Sequence, residues 1–297
     1  MSKYVQSVID LSEKITSKST YVWLNTSAIG RVAKTIPPPL EESFWGVPSH
    51  IVNLEEDENT TRKLTILYEL LASSVNYCYW YGKADIRPNN SGSTLMYEML
   101  SRAFSETSQY EGAYYRNAKK FQANLLQCRM PMLRERFDHI QEFIDADGGD
   151  LSKLIESIAN EEPIDDVLSS MFILLPGFAE DLFLKRVFLF FMQINRRLGL
   201  YEDAMSIIPV PADYQVPKIL EHKNCILYSG ELINDIHFGI HIPRMSMKEI
   251  EIRAATILGC NALSIASGYT QERIDDFLWM KRKESTKPFH LTVTTDY

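Results

Sequence analysis

Apolar residues that return every three or four positions set the strongest constraint on what this chain can fold into. From Thr60 to about Trp80, Leu64, Leu67, Tyr68, Leu71 and Val75 fall on one side of a helix. Leu133, Phe137, Ile140 and Ile144 make a second stripe, and Leu151, Leu154, Ile155 and Ile158 a third. Each stripe must be buried against another element, so helices packed on helices are expected. The fold class is mainly α with at most a few short strands. The tail "PFHLTVTTDY" is the best strand candidate, and short extended pieces fit near Cys225 to Tyr228.

Punctuation between the stripes is short. A first helix is expected near Tyr4 to Ile15, and prolines 37 to 39 break the chain before a loop that carries His50. Leu95 to Phe104 resumes helix after "NNSGST"; Pro131 suits a first helical position, and Asp150 is placed to cap the helix after "DADGGD". Ile164 to Leu174 is closed by "LPGF". "SMKEIEIRAATILGCNALSIASG" opens with Ser246 and Glu249 at capping-box spacing and closes on Gly268. Its apolar residues surround the axis, which predicts a central, buried helix. With no repeat, low-complexity linker or sharp shift in composition, residues 1–297 are expected to form one helical domain.

A net charge of −8 argues against a surface that holds long polyanions, while a local basic pocket can still take one phosphate. A small ligand is expected, with no duplex nucleic acid. No apolar run reaches the roughly 18 uncharged residues of a spanning helix, and the first residues lack the pattern of a signal peptide. Cys78, Cys128, Cys225 and Cys260 form no CxxC pair and read as reduced, mostly buried thiols. A cytoplasmic location without membrane contact is the expectation. The sequence specifies no oligomeric state.

The polar candidates stand out against this background. "EDLFLKRVFLFFMQI" sets Lys185 and Arg186 in an apolar run; a helix there places Asp181, Phe188, Leu189 and Met192 on the face of Lys185. Such a lysine either reaches water or meets a carboxylate, because an unpaired buried ammonium is costly. "PVPADYQVPKIL" displays Asp213 between prolines 209, 211 and 217, which stiffen the backbone. The commoner role of such an aspartate is a helix cap. Arg253, on the buried helix, needs a carboxylate that Glu249 or Glu251 can supply. Asp275 and Asp276 read as the start of a helix, where they complement its dipole. "NYCYW" reads as core aromatics. His237 and His241 are spaced as metal ligands, yet no glutamate follows the first as in a zinc protease, and Gly239 and Pro243 interrupt a helix. No phosphate-cradling glycine loop or serine-hydrolase elbow occurs.

An ordered set of segments resembles the queuosine salvage family, the queuosine 5'-phosphate N-glycosylases. It comprises "NYCYW", "RMPMLRERFDHIQE", "LPGF" before "FLKR", "ADYQVPKIL" followed by "LYSGEL", "EIEIRAATI", "IDDFLW" and the terminal "PFH". The resemblance implies a single helical domain similar to the helix-hairpin-helix DNA glycosylases, acting on a free nucleotide or nucleobase without cofactor. It implies that Asp213 and Lys185 are catalytic and that His50, Asp275, Asp276 and Trp279 contact substrate. Pro211 stands where the family usually has an aromatic residue and Met280 where it has an acidic one. A same-fold hydrolase of another modified nucleoside and a noncatalytic nucleobase-binding protein therefore remain as alternatives. The implied chemistry suits the two charges: breaking an N-glycosidic bond puts positive charge on the sugar, which a carboxylate stabilises. Lys185 is expected to lower the Asp213 pKa and keep it ionised.

Overall fold

A computed structural model describes residues 2–38, 57–80, 92–106, 114–146 and 148–297. These form two compact units, one of residues 2–38, 182–188 and 203–297, the other of the remaining described residues between 57 and 202. The architecture is mainly α, as the periodicity requires. His50 lies outside the described residues.

The first unit opens with α1 (Lys3–Thr16), whose first turn is capped when Ser2 accepts from the Val5 amide at 3.4 Å. Val5, Val8 and Ser12 form its buried face. Strand β1 (Val22–Leu24) and α2 (Thr26–Ala33) follow, with Asn25 capping the helix.

The second unit holds α3 (Glu58–Ser74), α4 (Gly92–Glu106), α5 (Tyr114–Leu125), α6 (Leu133–Asp145), α7 (Gly148–Ala159) and α8 (Ile164–Leu174). Helix α3 stops at Ser74, well short of Trp80, because Arg136 claims the carbonyls beyond it. Its guanidinium donates to Val75, Tyr77 and Cys78 and stacks on the rings of Tyr77 and Tyr79 at 4.4 and 4.9 Å. "NYCYW" is thus core packing, and Arg136 itself is fully buried. Pro131 is not a first helical position: Met132, in the left-handed region at φ 52, precedes α6. Asp150 is not a cap either, because α7 has already begun at Gly148; it pairs with Lys153 at 3.0 Å instead. Ile164 to Leu174 is a helix as expected, followed by a 3-10 turn at Pro176–Ala179.

Helix α9 (Lys185–Leu198) starts in the first unit and ends in the second. The expected helix across Glu180 to Ile194 is shorter at its front, since Leu184 adopts φ 50 and breaks the helical path. Asp181 therefore precedes α9 rather than sharing its face, while Phe188, Leu189 and Met192 follow Lys185 on the helix.

The first unit is completed by α10 (Gln215–His222), β2 (Ile226–Tyr228), α11 (Gly230–Phe238), α12 (Met247–Ser267) and α13 (Gln271–Lys281). β1 and β2 pair antiparallel, with Val22 opposite Tyr228 and Leu24 opposite Ile226. α12 is the central helix: α1, α2, β1, α10 and α13 all pack on it. Ser246 accepts from the Glu249 amide at its start, and Gly268 at φ 76 ends it, where a residue with a Cβ would be strained. Ile252, Ala255, Cys260 and Leu263 from α12 join Val22, Ile226, Val216, Ile219, Ile274 and Phe277 in one core. Each valine, leucine, isoleucine or phenylalanine among them contributes roughly 1.5–3 kcal/mol by burial. Glu251 is buried in the same helix yet satisfied, accepting from the Ser19 hydroxyl at 2.6 Å and from the amides of Thr20, Tyr21 and Val22.

The tail departs from expectation. "PFHLTVTTDY" makes an isolated bridge, His241 to Leu291, and no strand. His290, Thr292, Thr294, Asp296 and Tyr297 are all buried, so its side chains are enclosed without a ladder. His237 lies in α11, which Gly239 ends at φ 62; His241 is beyond that end.

Candidate active site

The prolines that flank Asp213 do what their chemistry allows. Pro209 and Pro211 have no N–H to give to a helix or ladder, so residues 209–213 run irregularly up to α10. Pro217 is accommodated in the first turn of α10, where its missing N–H costs little. Asp213 then accepts at Oδ1 from the amides of Gln215, at 2.7 Å, and Val216, at 2.9 Å. The commonplace role is nearly met: Asp213 stands one residue ahead of the N-cap Tyr214, and its carboxylate satisfies the first two amides of α10. The same two bonds fix its carboxylate in one orientation, and Oδ2 takes no hydrogen bond from a described residue.

Lys185 and Arg186 are 3% and 1% exposed and stand at the very start of α9. That is the end of a helix where the backbone dipole favours anions, so two buried cations there need negative groups. Asp213 is one such group for Lys185. Burial raises the Asp213 carboxyl above its ordinary value, the positive charge of Lys185 and the two amide donors pull it down, and the negative charge of Asp275 pushes it up. Lys185 thus acts in the expected direction, but the expected net lowering does not occur, because burial outweighs it.

Asp275 and Asp276 are not at a helix start. Thr270 caps α13, accepting from the Arg273 amide at 3.2 Å, which leaves both aspartates in mid-helix. Successive helical residues point about 100° apart, and here Asp275 is buried and Asp276 only half-buried. Trp279, one turn on from Asp275, is half-buried beneath the guanidinium of Arg282, 3.3 Å from its ring centre. Of the residues singled out in the sequence, Asp213, Lys185 and Asp275 share one electrostatic neighbourhood, and Trp279 joins it through Arg282, whose charge Asp213 also supports.

Three residues of this neighbourhood were not assigned a part in it. Lys218 lies on α10, five positions after Asp213, and feels both Asp213 and Arg282. Its signal was its place inside "ADYQVPKIL". Arg282 ends α13 and donates to the Trp279 carbonyl at 2.8 Å. Arg253 was expected only to need a carboxylate, and Glu249 lies 3.7 Å away, Asp296 3.9 Å; Glu251 turns elsewhere. Its Nε donates to the carbonyl of Ala212 at 3.2 Å, directly before Asp213. Lys218 also lines a cavity of about 160 Å³, with Tyr228, His237, Phe289 and His290 among the walls. Phe289 rests against Tyr214, the neighbour of Asp213, with ring centres 4.6 Å apart.

A mainly helical protein with a half-buried, oriented carboxylate in the field of a buried lysine has the equipment to stabilise positive charge on a bound molecule. Residues 187–297 match the family model described as "Queuosine salvage protein". Two curated relatives carry the name queuosine 5'-phosphate N-glycosylase/hydrolase. The one from Dictyostelium discoideum is 26% identical over 83% of this chain and 82% of its own length; the one from Sphaerobacter thermophilus is 25% identical over 98% and 97%. The chain is similar to the queuosine salvage proteins. The matched region holds Asp213, Lys218, Arg253, Asp275, Trp279 and Arg282.

Proposed function

We propose that this chain is an N-glycosidase that hydrolyses the ribose–base bond of queuosine 5'-monophosphate and releases queuine for reuse in tRNA modification. The observation that carries the reading is Asp213: a half-buried carboxylate, oriented by two amides at Oδ1 and opposed by the charge of Lys185. Its Oδ2 is the oxygen available to the anomeric carbon. As the bond from sugar to base lengthens, positive charge spreads over the anomeric carbon and ring oxygen, and Oδ2 stabilises it or attacks it. Water supplies the hydroxyl that ends on the sugar, and its proton goes to the departing base nitrogen. Queuine, a 7-deazapurine, offers no N7 for protonation, so the carboxylate bears more of the catalytic demand.

In the same proposal Lys185 keeps Asp213 ionised against the cost of burial, and Asp275, Asp276, Trp279 and His50 contact substrate. The reading is supported by the names of both relatives and by the segment order of the sequence. A nucleotide ligand suits the acidic chain with local cations. No described helix is long and apolar enough to cross a membrane, and all four cysteines are free thiols, which supports a cytoplasmic location.

A second reading is favoured by two positions. Pro211 replaces the family's usual aromatic residue, and Met280, 49% exposed, replaces an acidic one. Hydrolysis of a different modified nucleoside follows if these changes reshape base recognition. Incubation of the purified chain with queuosine 5'-monophosphate, queuosine and a panel of other nucleotides, read by chromatography of the released base, decides between them. Release of queuine supports the first reading; an uncut queuosine 5'-monophosphate beside another cleaved substrate rejects it.

A further inference from the structure

Leu184 breaks two local rules at the point where the chain delivers Lys185. Its φ is 50, in the left-handed region that glycine enters freely and a leucine enters only under strain. It also stands directly before α9, and its carbonyl accepts from the Phe188 amide at 3.0 Å. That is the position of a helix cap, where a side-chain oxygen ordinarily serves the first turn, and a leucine has none to give. Nor does it sit in a surface turn: Leu184 is 8% exposed, and Phe183, Lys185, Arg186, Val187 and Phe188 are buried with it. Strain of this kind persists only where the surroundings hold it, and it gathers where a functional group must be aimed.

What holds it lies on both sides of the turn. Upstream, the Phe183 ring is fixed beneath the Arg253 guanidinium, with 4.7 Å to the ring centre. The same guanidinium donates from Nε to the Ala212 carbonyl at 3.2 Å, so Phe183 is anchored on the segment that presents Asp213. Downstream, buried Val187 and Phe188 commit the first turn of α9. With both sides fixed, the backbone of Leu184 sets the direction in which α9 leaves, and therefore where the Lys185 side chain points. A right-handed conformation at this residue would carry α9 back into Phe183. Either the ring would swing off Arg253 or the ammonium would turn away from Asp213, since successive helical residues point about 100° apart.

We propose that Leu184 is a positioning residue: its left-handed backbone turns the chain between the anchored Phe183 and Lys185, and so aims the Lys185 ammonium at Asp213. The leucine side chain fills the core while the backbone makes the turn, so one residue meets both demands. The charge of Lys185 does favour the Asp213 carboxylate, as this placement requires. The consequence for turnover rests on the N-glycosidase reading; the consequence for Asp213 does not.

Carbon NMR of the full chain, labelled at its aspartate carboxyls, follows the titration of Asp213 without turnover, and Asp213→Asn identifies the resonance. Leu184→Ile keeps the side-chain volume but branches at Cβ, which the left-handed region resists more strongly. It is expected to raise the Asp213 pKa above wild type, because the ammonium moves away. Leu184→Met, unbranched and close in volume, keeps the wild-type titration. Lys185→Gln raises the same pKa, and in that background Leu184→Ile adds nothing, since both changes act through one charge. Leu184→Val is the β-branched variant if thermal melts show that Leu184→Ile does not fold. An unmoved Asp213 titration in the β-branched variant, or a further rise in the Lys185→Gln background, overturns the proposal. With queuosine 5'-monophosphate, kcat of the β-branched variant falls roughly tenfold or more, the scale for a misplaced reacting group. A wild type that cleaves none of it, while the titrations behave as stated, rejects the substrate and keeps the positioning role.

Discussion

Arg253 donates from Nε to the carbonyl of Ala212 at 3.2 Å, and its guanidinium lies over the ring of Phe183 at 4.7 Å. Ala212 directly precedes Asp213, and Phe183 is two residues before Lys185. One side chain therefore touches both segments that present the candidate catalytic pair. It is itself held by Tyr297, 4.4 Å away on its ring, and by Asp296, which Arg244 grips with two bonds of 2.7 Å. Arg253 is a positioning residue on this account. Lysine in its place keeps the charge but loses the planar fork and the stacking. Arg253→Lys is expected to lower kcat roughly ten- to a hundredfold, as small misplacements of reacting groups do, with KM little changed. Steady-state kinetics on the folded variant check this; a change in KM alone would assign Arg253 to binding instead.

The pH dependence of kcat/KM separates the charges around Asp213. Lys185 favours the carboxylate, so Lys185→Gln raises the Asp213 pKa further and moves the acid limb to higher pH. Asp275 disfavours it, so Asp275→Asn moves the same limb to lower pH. Profiles of both variants are measured against wild type, whose limb is expected above the ordinary aspartate value of 3.8, since burial raises Asp213. Limbs that stay in place, or move together, contradict the arrangement.

His290 gives the fold its own acid sensitivity. Burial, with the nearby charge of Arg253, lowers its pKa from 6.5 to about 3, while Nε2 shares a 3.0 Å hydrogen bond with the Tyr297 hydroxyl. Between those values the unfolded chain binds a proton that the folded chain does not, so stability rises with pH across that window and is lost on acidification. From pH 7 to pH 5 the loss from this one group is on the order of 2 kcal/mol. Denaturant melts across that range read it, and His290→Asn should flatten the pH dependence while lowering stability at neutral pH. An equally steep dependence in the variant would remove His290 from the account.

Residues 1–297 are expected to unfold as one domain, since α9 carries the chain from one compact unit into the other without leaving the helix. Scanning calorimetry with equal calorimetric and van 't Hoff enthalpies is the expected result. Two resolved transitions would divide the chain.

Much of this was written in local patterns. α8 runs from Ile164 to Leu174 as read, because "LPGF" stops it, and α12 is bounded by Ser246 and Gly268, whose caps have recognisable chemistry. The start of α9 was hidden: Leu184 at φ 50 is not a glycine, and nothing in its composition betrays a left-handed residue. The tail alternates like a strand, yet what decides between strand and coil is a partner ladder, which periodicity cannot supply. That the charge of Lys185 bears on Asp213 was legible as a buried cation in search of a carboxylate.

The most direct test of the central claim is the rate of queuine release from queuosine 5'-monophosphate by Asp213→Asn, measured beside wild type under identical conditions. Asparagine keeps an oxygen to accept from the amides of Gln215 and Val216, so the fold and the first turn of α10 should survive while the negative charge is lost. The expected result is a folded protein whose turnover falls by roughly a hundredfold or more, the scale for losing a preorganised electrostatic group. Turnover within a few-fold of wild type would show that the carboxylate of Asp213 does not carry the reaction.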